Sequence, residues 1–414
     1  MCLKQCPSGE ERSPISYLKF LMNTFAAVMT GKGTGAISTV QLFGDSAEAV
    51  VKQIFKPAGA KPAKFKTGEV LLGTIADDNE TIDQVTIGCE QADSFAIHCH
   101  GNPLIVADIM QLLQRCGATL LTAEQLLTKM LSAQKAINII ALEAKLAQLK
   151  AKTLQGTKII TNQIDAGLSK KAAGWLQNIN AISPEQISSE LERILQKSQT
   201  AKLIIYGSTA ALIGPPNSGK STLLNCLAGR QKAIVTDIKG TTRDWVEAVC
   251  QIESLSLRLI DTAGLDERPP ALKDTVEKAA QKKSVQILEQ ADLVLLVLDN
   301  SQTNEQLDER FSKKIAKKKV LTVLNKCDLP AKFDAGKLPE ILSNTVRISA
   351  KDGTGIENLI EKIRRICGIT DFDLKTPVVF NIRQEKLLQQ LKNSKSKQQA
   401  VSIITELLNG TLRV

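Results

Sequence analysis

The sequence predicts an α/β domain with a mostly parallel sheet, inserted into an α-helical domain and preceded by a small α+β domain. Three observations predict this. Residues 203–367 alternate apolar runs with helical stretches, and "TAALIG", "LSLRLIDT", "ADLVLLVLD", "KKVLTVLNK" and "TVRISA" read as strands buried on both faces. Ala-, Leu- and Lys-rich helical periodicity fills 127–202 and returns in 368–414, so one helical bundle is expected to close on either side of the insertion. Residues 22–126 mix short strands with helices over the length of one small domain. A chain of 414 residues is in any case too long for one ordinary core.

In the first domain, 35–44 ("GAISTVQLFG") and 94–103 ("SFAIHCHGNP") read as strands, 46–55 and 103–117 as helices, the second ended by Gly117. In the helical domain, Ser183 is placed as an N-cap, Pro184 at the first helical position and Gln186 at the third. Residues 1–21 lack a signal-peptide cleavage pattern and read as a loose extension, with patterned sequence beginning at Met22.

Composition narrows the classes of function. The net charge of +10 favours acidic partners such as RNA, or simply solvates Lys-rich helix faces; the run Lys313, Lys314, Lys317, Lys318, Lys319 reads as such a helix end. Aromatic residues are only 3%, which disfavours a protein built to stack single-stranded bases. Nine cysteines, an odd number without a CxxC pair, indicate neither a disulfide framework nor a zinc site and suit a reducing cytoplasm. No apolar run reaches the length of a membrane span. His98 and His100, the only histidines, share a strand face and read as structural.

Chemistry concentrates in the α/β domain. Gly214-Pro215-Pro216-Asn217-Ser218-Gly219-Lys220-Ser221 follows an apolar strand and opens a helix with Thr222 in its first turn. Glycines at these positions let backbone N–H groups wrap phosphates, and the helix N-terminus favours their charge. Lys220 is placed to reach the β- and γ-phosphates and Ser221 to bind Mg²⁺. Gly240-Thr241-Thr242-Arg243-Asp244 lies in a polar loop, where a threonine can close on Mg²⁺ only while a γ-phosphate is present. Asp261-Thr262-Ala263-Gly264 ends a strand, its carboxylate suited to the Mg²⁺ shell and the Gly264 N–H to the γ-phosphate. Asn325-Lys326-Cys327-Asp328 ends another; a carboxylate at Asp328 accepts from guanine N1 and N2, donors that adenine lacks. Ser349-Ala350-Lys351 completes the base pocket with a backbone N–H for the guanine oxygen. These pieces, in order on successive strand ends, predict a P-loop GTPase, an enzyme that hydrolyses GTP to GDP.

The wording of "GPPNSGKSTLLNCLAGR", "AIVTDIKGTTRD" and "LIDTAGL" resembles the bacterial tRNA-modification GTPase family MnmE/TrmE. "NTFAAVMTGKGTGAISTVQLFG", "IHCHGNPLIVADIMQLLQRCGATLLTAEQLL" and the interrupted helical domain extend the resemblance over nearly the whole chain from Met22. It implies an activating K⁺ beside the phosphates, held by Asn217 and the backbone carbonyls of Thr236 and Ile238 with Thr241 nearby, and Thr242 as a Mg²⁺ ligand. It implies a catalytic glutamate in the following helix at Glu277, with Glu267 as the other candidate, beside the catalytic Lys220 and Thr242. It further implies a homodimer pairing through the switch domains, a flavin-dependent partner acting on the tRNA wobble uridine, and 5-formyl-tetrahydrofolate in the first domain.

That last implication meets departures. An arginine of the family is matched by Gln41, a glutamate by Ala92 and a lysine by Gln134 with Lys135 adjacent. The family's terminal cysteine has no counterpart after Cys367 in "ELLNGTLRV". Folate carboxylates need cationic partners, so weak folate binding is expected. Two readings stand: a tRNA-modifying GTPase with K⁺-assisted hydrolysis driving conformational change, or a GTP-dependent switch or RNA/ribosome assembly factor on the same scaffold without the one-carbon chemistry.

Overall fold

The computed structural model describes residues 23–31, 33–59, 64–78, 80–133, 138–230, 246–261, 286–307, 315 and 318–410. They form two compact units, one up to residue 137 and the other from Asn138 onward.

The first unit is built on one sheet. Strands β1 (Thr24–Val28), β2 (Ile37–Gly44), β3 (Phe55–Pro57), β4 (Val70–Asp77), β5 (Glu80–Gln91), β6 (Ser94–His100) and β7 (Thr119–Leu120) lie in the order β3-β4-β5-β6-β2-β1-β7. Pairings are antiparallel except β1 with β7. Helix α1 (Ala47–Ile54) buries Ala47, Val50, Val51 and Ile54, the stripe that a 3.6-residue period places on one face. Helix α2 (Pro103–Arg115) starts where Asn102 accepts the Leu104 N–H, with Pro103 in the first turn. It ends as expected at Gly117: the Gly117 N–H reaches Gln114 O and the Ala118 N–H reaches Leu113 O, both at 2.9 Å. Both helices share a core with Val40, Leu42, Val85, Ile87, Phe95 and Ile97. Helix α3 (Ala123–Ala133) runs across residue 127 and packs on β1.

The two histidines are anchored by neighbours on adjacent strands. His98 Nδ1 lies 3.0 Å from Thr39 Oγ1, and His100 Nδ1 lies 2.7 Å from Asp83 Oδ1. No group of metal-ligating side chains occurs among the described residues.

In the second unit, helices α4 (Ile139–Gln148), α5 (Leu154–Asp165), α6 (Gly167–Gln177) and α7 (Pro184–Tyr206) precede the inserted domain. α7 opens with the expected reciprocal cap, Ser183 accepting the Gln186 N–H and Gln186 accepting the Ser183 N–H. It buries Ile187, Leu191, Ile194, Ser198, Ala201 and Ile205, a stripe spaced alternately by four and three. Gly207 alone separates α7 from the first strand of the inserted sheet.

That sheet contains β8 (Ser208–Ile213), β9 (Val246–Ile252), β10 (Leu255–Asp261), β11 (Leu293–Asp299), β12 (Lys319–Asn325) and β13 (Thr345–Arg347), in the order β13-β12-β11-β8-β10-β9. All pairings are parallel except β9 with β10. All seven residues of β11 are buried, as a central parallel strand covered on both faces requires. Helix α8 (Lys220–Arg230) follows β8, and α9 (Ile356–Ile366) follows β13. Ala210 and Leu212 face a core shared with α7 and the bundle, whereas Ala211 and Ile213 face the opposite layer.

The chain then returns to the bundle as α10 (Ile382–Lys392) and α11 (Lys397–Asn409). The returning segment is stitched to the first half by side chains: Val378 N–H to Gln163 Oε1 at 3.1 Å, Val379 N–H to Ser198 Oγ at 2.9 Å, and Tyr206 OH to Phe380 O at 2.6 Å. An α/β domain inserted in a helical one therefore holds. One surface reading needs correction. Lys318 is not merely solvated, because its ammonium donates to the carbonyls of Glu289 at 2.6 Å and Ala291 at 2.9 Å. Lys313, Lys314 and Lys317 lie outside the described residues. Among the described residues no helix is long and apolar enough to cross a membrane.

Candidate nucleotide site

The parallel strands end in a row, and the loops beyond them carry the site. β8 delivers Gly214, whose φ of 146° is open to glycine; a Cβ there would stand 2.0 Å from Val297 O. Asn217 sits at φ 60°, a left-handed position that asparagine tolerates, with its side chain exposed. Gly219, at φ 92°, passes so close to Asn325 that a Cβ would stand 2.2 Å from its Nδ2. The chain then enters α8, leaving first-turn N–H groups directed out of the helix end.

Lys220 is 4% exposed, and its ammonium donates to Gly214 O and Pro215 O, each at 2.9 Å. Ser221 Oγ donates to Asp261 Oδ2 at 2.7 Å, bringing together two oxygens that the sequence assigns to one Mg²⁺. Both are hard donors of the kind Mg²⁺ takes, so the pair fits that ion. Thr222 is exposed in the first turn of α8, and Ser218 is buried.

Asn325, 2% exposed, ties three loops together. Its Nδ2 donates to Ser218 O and its Oδ1 accepts the Ala350 N–H, both at 2.9 Å. Beside it, Lys326 adopts φ 64°, a strained position for a non-glycine residue of the kind that clusters at ligand sites. Its ammonium is held 2.6 Å from Asp299 Oδ2. Asp328 is exposed. Of the Ser349-Ala350-Lys351 N–H groups, the first is bonded to Thr354 O and the second to Asn325; that of Lys351 has no partner among the described residues.

Asp299 is the site residue that sequence reading missed. Its signal was its position: it ends β11 in register with Asn325 at the end of β12. Burial opposes its charge, but hydrogen bonds from Lys326 and Ser301 outweigh burial and hold its carboxyl below the usual range. The stability it contributes is present above the unfolded aspartate value, about 3.9, and is lost as the pH falls through the lower folded value.

Thr236, Ile238, Thr241, Thr242, Thr262, Ala263, Gly264 and both glutamate candidates, Glu267 and Glu277, lie outside the described residues. The structure thus brings together Asn217, Ser218, Gly219, Lys220, Ser221, Thr222, Asp261, Asn325, Lys326, Asp328, Ser349, Ala350 and Lys351 at one edge of the sheet.

A family described as 50S ribosome-binding GTPase matches residues 209–326, and one described as GTP-binding protein TrmE N-terminus matches residues 24–125. The tRNA modification GTPase MnmE of Lactobacillus gasseri is 33% identical over 410 residues, covering 90% of this chain and 87% of that relative. The chain belongs to the MnmE family. The MnmE of Lacticaseibacillus paracasei is 33% identical with the same coverages, and that of Enterococcus faecalis 32% identical over 82% of this chain and 80% of that relative. Like other MnmE proteins this chain is a GTP hydrolase, and its GTPase family implies guanine nucleotide with Mg²⁺.

Proposed function

We propose that this MnmE-family chain binds GTP at the β8–α8 loop and uses its hydrolysis to drive conformational change on a tRNA-modifying scaffold. The observation that carries the nucleotide chemistry is the Asn325 clasp, which locks the phosphate loop, the base-specificity loop and the Ser349–Lys351 loop into one unit. In this reading Lys220 and the α8 N-terminus hold the phosphates, and Ser221 and Asp261 hold Mg²⁺ with Thr242. Asp328 accepts from guanine N1 and N2, the Lys351 N–H meets the guanine oxygen, and Glu277 positions water. Mg²⁺ supplies charge neutralisation at the phosphates when bound. In the Asp261-Thr262-Ala263-Gly264 motif, the Gly264 N–H is the group suited to the γ-phosphate.

Asn217 is exposed on the phosphate loop at φ 60°, which suits an oxygen ligand for K⁺ together with Thr236, Ile238 and Thr241. A monovalent cation there offsets charge developing on the phosphates. GTP turnover is expected to be faster in KCl than in NaCl at equal ionic strength; equal rates would remove the cation role of Asn217. The active form in this reading is a homodimer paired through the switch domains, working in the cytoplasm with a flavin-dependent partner on the tRNA wobble uridine.

One observation favours the second reading, a GTP-dependent switch or RNA/ribosome assembly factor without one-carbon chemistry. Gln41 is 5% exposed, and its amide donates to Glu90 Oε2 at 2.9 Å and Ser94 Oγ at 3.0 Å. It is neutral and already engaged, so it offers no cation to a folate carboxylate. Ala92 is exposed in the β5–β6 turn, and Gln134 and Lys135 lie outside the described residues. Calorimetric titration with 5-formyl-tetrahydrofolate is expected to show weak binding at most. Tight binding would mean that the matches at Gln41, Ala92 and Gln134 are misplaced and would return the balance to the tRNA-modifying reading.

A further inference from the structure

The helical domain carries a second concave site, lined by none of the nucleotide-loop residues. A cavity of about 270 Å³ opens where the start of α7 meets the turn between α10 and α11. Ile182, Ile187 and Leu391 are among its apolar lining, and Lys392, Lys395 and Lys397 stand around it. All three lysines are exposed. Lys392 pairs with Glu192 at 2.7 Å, whereas Lys395 and Lys397 make no ion pair among the described residues. The site is therefore an apolar socket with two uncompensated positive charges at its edge.

We infer that this socket is a docking site for an acidic segment of a partner protein that inserts one large aliphatic or aromatic side chain. The apolar part of the lining rewards an apolar anchor, while Ser188, Ser394 and Ser396 add polar groups to the wall. The exposed lysines reward carboxylates on either side of that anchor and speed encounter. A buried anchor inside a charged rim is the usual division of labour at an interface. RNA satisfies only the rim: unpaired bases are held by stacking on aromatic side chains, and none lines this cavity. The socket grips the first turns of α7, whose other end passes through Gly207 into β8 and the phosphate loop. This inference stands independently of the tRNA reading.

The test is fluorescence anisotropy on the full GDP-loaded chain with a short fluorescein-labelled peptide, a Leu-Phe pair flanked by glutamates and aspartates. Saturable binding is expected. It should weaken about tenfold or more when Ser-Ser replaces Leu-Phe, and similarly in the Lys395→Glu, Lys397→Glu double variant. Ser188→Trp, which fills the socket without changing charge, should weaken it as much. Basal GTP turnover should not change in either variant, which also reports that they fold. No saturable binding up to about 1 mM peptide overturns the inference, as does equal binding of the Ser-Ser peptide. So does an oligouridylate that displaces the peptide and depends on Lys395 and Lys397, which would assign the face to RNA.

Discussion

Lys220→Ala is expected to lower GTP turnover at least a hundredfold to a thousandfold and to weaken nucleotide binding. Lys220 is 4% exposed, and its ammonium is bound to the carbonyls of Gly214 and Pro215 at 2.9 Å each. An ammonium has three donors and no acceptor, the donor set that both bracing the loop and binding phosphate oxygen call for. Removing it leaves two carbonyls without their partner and the phosphates one positive charge short. Loss of one such preorganised donor costs about 3–4 kcal/mol, which is the stated range in rate. Lys220→Arg should not rescue activity, because a planar guanidinium cannot replace a compact point charge under so tight a loop. Single-turnover hydrolysis and fluorescent-GDP binding measure the effect. Turnover at the unaltered rate would refute the assignment of the site.

The site was legible because its geometry is imposed locally. Gly214 and Gly219 are required by close approach of backbone and side chain, and such needs are written as residue identity at a fixed offset. The strands that position these loops were legible for a related reason: β8, β11 and β12 are buried nearly throughout and read as unbroken apolar runs. The caps at Ser183 and Gly117 are local as well, each settled within a few residues.

What was not legible depends on pairing at a distance. The β4–β5 hairpin escaped because β4 exposes Val70 and Leu72 while β5 buries only alternate residues, Asp83, Val85, Ile87 and Cys89. That alternation is a strand signal, but polar residues dilute it and the partner strand supplies the rest. β9 is an antiparallel edge strand in an otherwise parallel sheet, and no apolar run announced it. Asn325 was read as part of a base-specificity motif; its contact with Ser218, 107 residues earlier, is a tertiary fact. Asp299 could be tied to Lys326 only once the register of β11 on β12 was known.

The largest of these long-range features predicts the other large effect: Glu143→Ala is expected to destabilise the second unit by about 3 kcal/mol or more. Glu143 on α4 is 8% exposed and accepts from Arg383 Nε at 2.5 Å, Arg383 Nη2 at 3.0 Å and Gln384 Nε2 at 2.7 Å. Arg383 in turn donates to the carbonyls of Glu406 at 3.0 Å and Leu407 at 3.2 Å, near the end of α11. One carboxylate thus ties the first half of the bundle to both helices that return after the inserted GTPase domain. Removing it leaves a largely buried guanidinium without its counter-charge, though still bonded to two carbonyls, and a fully buried amide N–H without its acceptor, which costs far more than losing an exposed pair. The midpoint of thermal unfolding should fall by roughly 6–12 °C for a unit of this size. Glu143→Leu combined with Arg383→Met should recover much of the loss, because an apolar pair carries no desolvation penalty. A single-variant loss below about 1 kcal/mol would mean that solvent screens the pair as it does at a surface. The halves of the bundle would then be joined chiefly by the Gln163, Ser198 and Tyr206 bonds to the returning segment.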